Sequence, residues 1–113
     1  MWILTIRSPL GAPREYMLKA GRNTLGRKSD NDIVIADVSA SRLHAEIDYN
    51  SDSNVVVLHD LDSTNGTFVN RERVAHTLQL HPGDQIRVGQ MVVNVAYQDL
   101  THGPVKTDKL PGT

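Results

Sequence analysis

Three separated stretches hold the side chains best suited to chemistry: Gly26-Arg27, Ser39-Ala40-Ser41-Arg42-Leu43-His44 and Ser63-Thr64-Asn65-Gly66-Thr67. Each is ordinary alone. Gly-Arg fits any bulge with a surface arginine and Ser-Arg any polar loop. Asn-Gly is a strong hairpin signal, because both residues accept the positive φ of a type I′ turn. Other chemistries fail on spacing. GRNTLGRKS, Gly21 to Ser29, approximates a phosphate loop, but Arg27 stands where a Walker A loop needs Lys, and the strand-like DIVIA follows where it needs a helix. His44, His59, His76, His81 and His102 are scattered, with no two at helical ligand spacing, so no metal site and no cofactor are expected. Asp60 and Asp62 fall on one face of an extended run and suggest an acid–base pair. They run into a tight turn, however, where aspartates bond backbone amides. No nucleophile–base pair stands at workable spacing, so no catalytic residue is expected.

The elements that must position these turns are short strands. WILTIR, EYMLKA, NTLGR, DIVIA, HAEIDY, VVVLHDL, TFVN, HTLQL, DQIRVG and MVVNVAYQ alternate with turn clusters such as AGRN, DVSAS, DSTNG, NRERV and HPGD. About ten strands fit this pattern, and such regular spacing predicts an all-β sandwich. Alternation places Val93, Val95 and Tyr97 on one face and Ile86 with Val88 on another, both core-facing. No stretch sustains a helical apolar period, so no long helix is expected.

Composition narrows the class. At 113 residues the chain is one domain by length. Twelve basic against thirteen acidic residues leave a formal net charge of −1, which removes the broad attraction behind non-specific nucleic-acid binding. The absence of cysteine excludes disulfides, thiolate catalysis and cysteine zinc sites, and favours a cytoplasmic setting. MWILTIRSPLG reads as a strand rather than a signal peptide, and the apolar runs are far too short to span a bilayer, so no membrane partner is expected. From Asp99 the composition shifts to DLTHGPVKTDKLPGT, which reads as a flexible tail or linker after a domain at 1–98. Thr107 in that tail, if phosphorylated, could serve as a ligand for the same or a neighbouring copy.

Taken together, the three turns are specific. LGRKSDNDIVI, ADVSASRLHAEI and LDSTNGTFVN follow one another in the order and near the spacing of the forkhead-associated (FHA) domain family, which the chain resembles from Trp2 to Gln98. The pattern departs at Ala40, where many members place a larger apolar residue. The resemblance implies an eleven-stranded antiparallel β-sandwich that binds phosphothreonine peptides through loops at one end. By the same resemblance Arg27 would anchor the phosphate with its guanidinium fork, and Ser41 would donate its hydroxyl. Arg42 would add charge or a backbone donor, Thr64 a hydroxyl or amide, and Asn65 would bond the peptide backbone. Gly26 would let the chain turn so that Arg27 points inward, Gly66 would supply a positive φ, and His44 would brace the Ser41 loop, with Asp62 holding the third turn shut. Ser39, Ala40 and the Asn70 to Arg73 loop are candidate readers of neighbouring ligand residues. The partners so implied are a phosphothreonine-containing protein or peptide and an upstream serine/threonine kinase. The alternative is a β-sandwich that assembles without phosphate.

Overall fold

The computed structural model describes residues 1–98; the tail expected at 99–113, with Thr107, lies outside them. Among the described residues eleven strands form: β1 (Trp2–Arg7), β2 (Arg14–Met17), β3 (Gly21–Gly26), β4 (Ile33–Val34), β5 (Ala45–Asn50), β6 (Val55–Asp60), β7 (Phe68–Val69), β8 (Glu72–Arg73), β9 (Thr77–Leu80), β10 (Gln85–Val88) and β11 (Met91–Tyr97). They build a six-stranded sheet in the order β2-β1-β11-β10-β7-β8 and a five-stranded sheet in the order β4-β3-β5-β6-β9. The two sheets face each other as a sandwich.

Strict alternation makes the core. Leu4 and Ile6 of β1, Ile86 and Val88 of β10, and Val93 and Val95 of β11 point inward from the larger sheet. Leu25, Ala45, Ile47, Val56 and Leu58 answer from the smaller one, all fully buried. Each large aliphatic side chain buried this way contributes about 1.5–3 kcal/mol. Tyr97 departs from expectation: it remains 42% exposed, at the open end of β11, with its ring edge-on to Trp2 at 5.3 Å.

Every strand pair is antiparallel except β3 with β4, where Leu25 pairs Ile33 and Gly26 pairs Val34 in parallel. Local bonds explain that departure from an all-antiparallel sandwich. The Asp32 carboxylate accepts from Thr24 N at 2.9 Å, and Asp32 N donates to Thr24 Oγ1 at 3.0 Å. These contacts draw the chain back beside β3 before β4 begins, so the two run the same way.

The register also relocates the expected hairpin. β6 belongs to the small sheet and β7 to the large one, so Asn65-Gly66 lies on a crossover between sheets. Gly66 has φ +88°, but Asn65 is not in the left-handed region, so no type I′ turn forms there. The two-residue turn with positive φ at both positions is Asn70-Arg71, at +50° and +75°, joining β7 to β8. Asn70 is held by its side chain, which donates to Asp84 Oδ1 and accepts from Gln85 N.

One fully buried amide fastens the smaller sheet. Asn23 Oδ1 accepts from Tyr16 OH and Lys19 N, while Nδ2 donates to the carbonyls of Lys19, Gly21 and Ile47. A buried group so fully paired is costly to remove, because its partners are left without water or protein. Asn23→Ala should lose about 1–3 kcal/mol of stability in urea denaturation, whereas Val38→Ser, at a side chain 95% exposed, should leave the midpoint within experimental scatter.

Candidate functional site

Four connections meet at one end of the sandwich: 27–32, 35–44, 61–67 and the 89–90 turn. The strand ends beneath them are stitched by backbone bonds. His44 N donates to Leu25 O and Leu61 N to His44 O, so the ladder of β5 continues one residue into its loop on both sides. Arg27 N donates to Ser41 O at 3.0 Å and Lys28 N to Arg42 O at 3.2 Å. The first two sequence turns are therefore in direct contact.

His44 joins the second turn to the third. Its ring is fully buried; Nδ1 accepts from Ser41 N at 3.0 Å, which places the ring proton on Nε2, 3.0 Å from Gly66 O. Burial pushes its pKa below the ordinary value, so the imidazole is neutral and keeps this donor–acceptor polarity. Gly66 takes the positive φ that turns its carbonyl toward the ring.

The DSTNGT stretch divides its polar side chains between inside and outside. Asp60 Oδ1 accepts from Ser63 Oγ at 2.6 Å and Thr67 Oγ1 at 2.7 Å, and Oδ2 from Ser63 N at 3.3 Å. Burial acts to raise the Asp60 pKa, but the bonds from Ser63 and Thr67 outweigh it and hold the carboxyl below its ordinary value. Asp60, not Asp62, is thus the brace of this turn. Asp62 lies beyond the end of β6, exposed, at φ +54°, and the two do not share a strand face.

Outward from that frame stand Arg27, Ser41, Arg42, Thr64 and Asn65. Arg27 Nε donates to Ala40 O at 3.1 Å, which orients the guanidinium and leaves its terminal nitrogens without a protein partner among the described residues. Ser41 Oγ accepts from Thr64 N at 3.1 Å, so the serine still has a proton to give. The Thr64 amide is therefore spent internally, and only its hydroxyl remains for a ligand. Asn65 Nδ2 donates to Ser39 O at 2.8 Å, which turns Oδ1 outward as an acceptor. The Arg42 carbonyl is tied by Lys28 N and by Asn31 Nδ2 at 2.8 Å, while its side chain is exposed and unpaired among the described residues. Arg27 and Arg42 thus place two guanidinium groups at this end, while Lys28 lies 3.6 Å from Asp30.

Two positions act differently from expectation or were missed. Gly26 has no positive φ; it is glycine because a Cβ there would stand 2.1 Å from Arg42 O. The need is close approach of two backbones, not a turn. Asp37 carried no sequence signal beyond its place in a turn cluster. Its Oδ1 accepts from Ser39 N and Ser39 Oγ, and its Oδ2 from Gln90 N at 3.0 Å, tying the Ser41 loop to the 89–90 turn of the opposite sheet. Ala40 is buried in the core cluster, which accounts for its small size at this loop.

Gly26→Ala should force the Ser41 loop off the end of β3 and cost several kcal/mol, read as a lowered urea midpoint with altered Arg42 and Ser41 amide resonances. Asp37 titrates below its ordinary value of 3.8, chiefly because Ser39 Oγ bonds the ionised form, with Gln90 N and Ser39 N adding to it. Its tether is therefore intact above that value and is lost as pH falls through the depressed one. The Gln90 and Ser39 amide resonances should titrate together below pH 3.8, and Asp37→Asn should abolish the transition.

The profile of the FHA domain family matches residues 23–89, which include all three turns. FhaA of Mycobacterium tuberculosis, an FHA domain-containing protein, is 40% identical over 92 residues, covering 81% of this chain and 17% of FhaA. The oxoglutarate dehydrogenase inhibitor of Corynebacterium jeikeium is 38% identical over 88 residues, covering 78% of this chain and 59% of the inhibitor. The chain thus spans only part of these relatives. A solved structure concerned with phosphothreonine-dependent FHA domain interactions superimposes with a TM-score of 0.76 at 38% identity, over 87% of this chain and 99% of that one. With the profile, the relatives and the superposition in agreement over the same strands and loops, the chain belongs to the FHA domain family.

Proposed function

We propose that this domain is a non-catalytic module that binds phosphothreonine-containing proteins or peptides, acting downstream of a serine/threonine kinase in the cytoplasm. One observation carries the reading: the loops spend part of each polar group on one another and leave the remainder unspent at a single place. The free Arg27 nitrogens, the Ser41 proton and the Thr64 hydroxyl are donors, and the Arg42 side chain adds positive charge. A phosphothreonine supplies the complement, with about −1.5 to −2 charge and three strong acceptor oxygens. Arg27 meets two of those oxygens as a planar fork, Ser41 a third, and Asn65 Oδ1 accepts a ligand backbone N–H. Gly26, His44 and Gly66 hold the frame. The solved FHA structure concerned with phosphothreonine-dependent interactions supports this assignment by likeness.

Fluorescence anisotropy with a degenerate phosphothreonine peptide library tests the proposal. Phosphate-dependent binding is expected, with Arg27→Ala weakening it about tenfold to a hundredfold and Arg27→Lys recovering only part, because a point charge lacks the fork. Phosphoserine peptides should bind about tenfold more weakly for want of one methyl. A folded domain that ignores phosphate throughout the library would reverse the assignment in favour of phosphate-independent assembly.

A further inference from the structure

The outer face of the five-stranded sheet carries a cluster that peptide binding leaves unused. Glu46 and Asp48 lie two apart on β5, and His59 of β6 is the register partner of Glu46, so all three side chains leave the sheet on the same side. One ligand atom from each lies within 4.8 Å of the others. His59 Nε2 stands 3.4 Å from Asp48 Oδ2. Zinc holds nitrogen and oxygen ligands at about 2.0–2.2 Å, and two such ligands across a tetrahedral angle are about 3.4 Å apart. The pair already spans the edge of a coordination tetrahedron. Arg22 Nε donates to Glu46 Oε1 at 2.8 Å, which fixes that carboxylate and leaves Oε2 for a cation, the part outer-shell donors play at metal sites. A cleft of about 570 Å³ bordered by Asp48, Val57 and His59 leaves room for entry and for a water ligand.

We propose that Glu46, Asp48 and His59 form a binding site for a divalent transition-metal ion of the zinc type. One imidazole and two carboxylates match the ligand preference of such ions, and three protein ligands leave a fourth position open. The site clips β5 to β6, on strands that lead directly from His44 and into Asp60. It is independent of the phosphothreonine proposal.

Zn²⁺ titrated into the full 113-residue chain by calorimetry, with thermal melts in parallel, is the test. The expected result is saturable uptake of one ion per chain, a raised melting midpoint, and movement of the His59 ring resonances on binding. His59→Ala and Asp48→Asn should each weaken uptake by at least about tenfold without lowering the metal-free midpoint, since both side chains are partly exposed. Phosphothreonine-peptide binding by His59→Ala should be unchanged, which separates this site from the other. Absence of saturable uptake, or uptake indifferent to His59→Ala and so carried by another histidine, would overturn the proposal.

Discussion

The buried imidazole of His44 is the constraint on which the binding end depends. Three loops, two within the smaller sheet and one crossing from it to the larger, must hold polar groups within a few ångströms of one another, and loops pay a conformational entropy cost for such order. A neutral ring with one donor and one acceptor, sealed from water, satisfies the Ser41 amide and the Gly66 carbonyl together. Neither group has another partner among the described residues, so the ring both joins the loops and prevents two vacancies in the hydrogen bonding. Ser41 Oγ to Thr64 N and Asn65 Nδ2 to Ser39 O then close the same junction from above.

Below the ring the rigid part of the molecule is unremarkable alternation, and that is its use. Paired ladders set the strand ends to fixed heights, so that Leu25, Ala45 and Asp60 finish at one level. Asp60 and Asp37 convert those ends into loop anchors, one within the crossover and one across the two sheets. Both carboxylates are stabilised in the charged form by donors the chain itself supplies, which is how a sandwich with few basic residues inside still keeps acids at its loop bases.

Much of this was legible in the sequence because period-two burial is a strong signal. Ile86, Val88, Val93 and Val95 announced their faces, and the all-β class followed. β8 escaped because Glu72-Arg73 is a two-residue edge segment with no buried side chain to mark it. The turn between β7 and β8 fell inside the NRERV cluster, but its hairpin form escaped because Arg71 is a poor residue for positive φ, sustained there by the bonds of Asn70 to Asp84 and Gln85. Asn65-Gly66 misled for the opposite reason: its preference for a hairpin yields to a crossover between sheets, pinned by the bonds of Ser63 and Thr67 to Asp60. Glu46, Asp48 and His59 could not be associated by counting along the chain, since strand register brings them together.

The tether from Asn65 Nδ2 to Ser39 O also bears on the chemical lifetime of the domain. An asparagine followed by glycine is the sequence most prone to spontaneous cyclisation, in which the next backbone nitrogen attacks the side-chain carbonyl carbon and ammonia leaves. Hydrolysis of that ring would put a carboxylate, or an isomerised backbone, where a carboxamide now stands on the loop surface. Holding the carboxamide against Ser39 O restricts the rotation that attack requires. The bond that orients this side chain therefore also protects it, and a chain in which that loop is loosened would age fastest at Asn65.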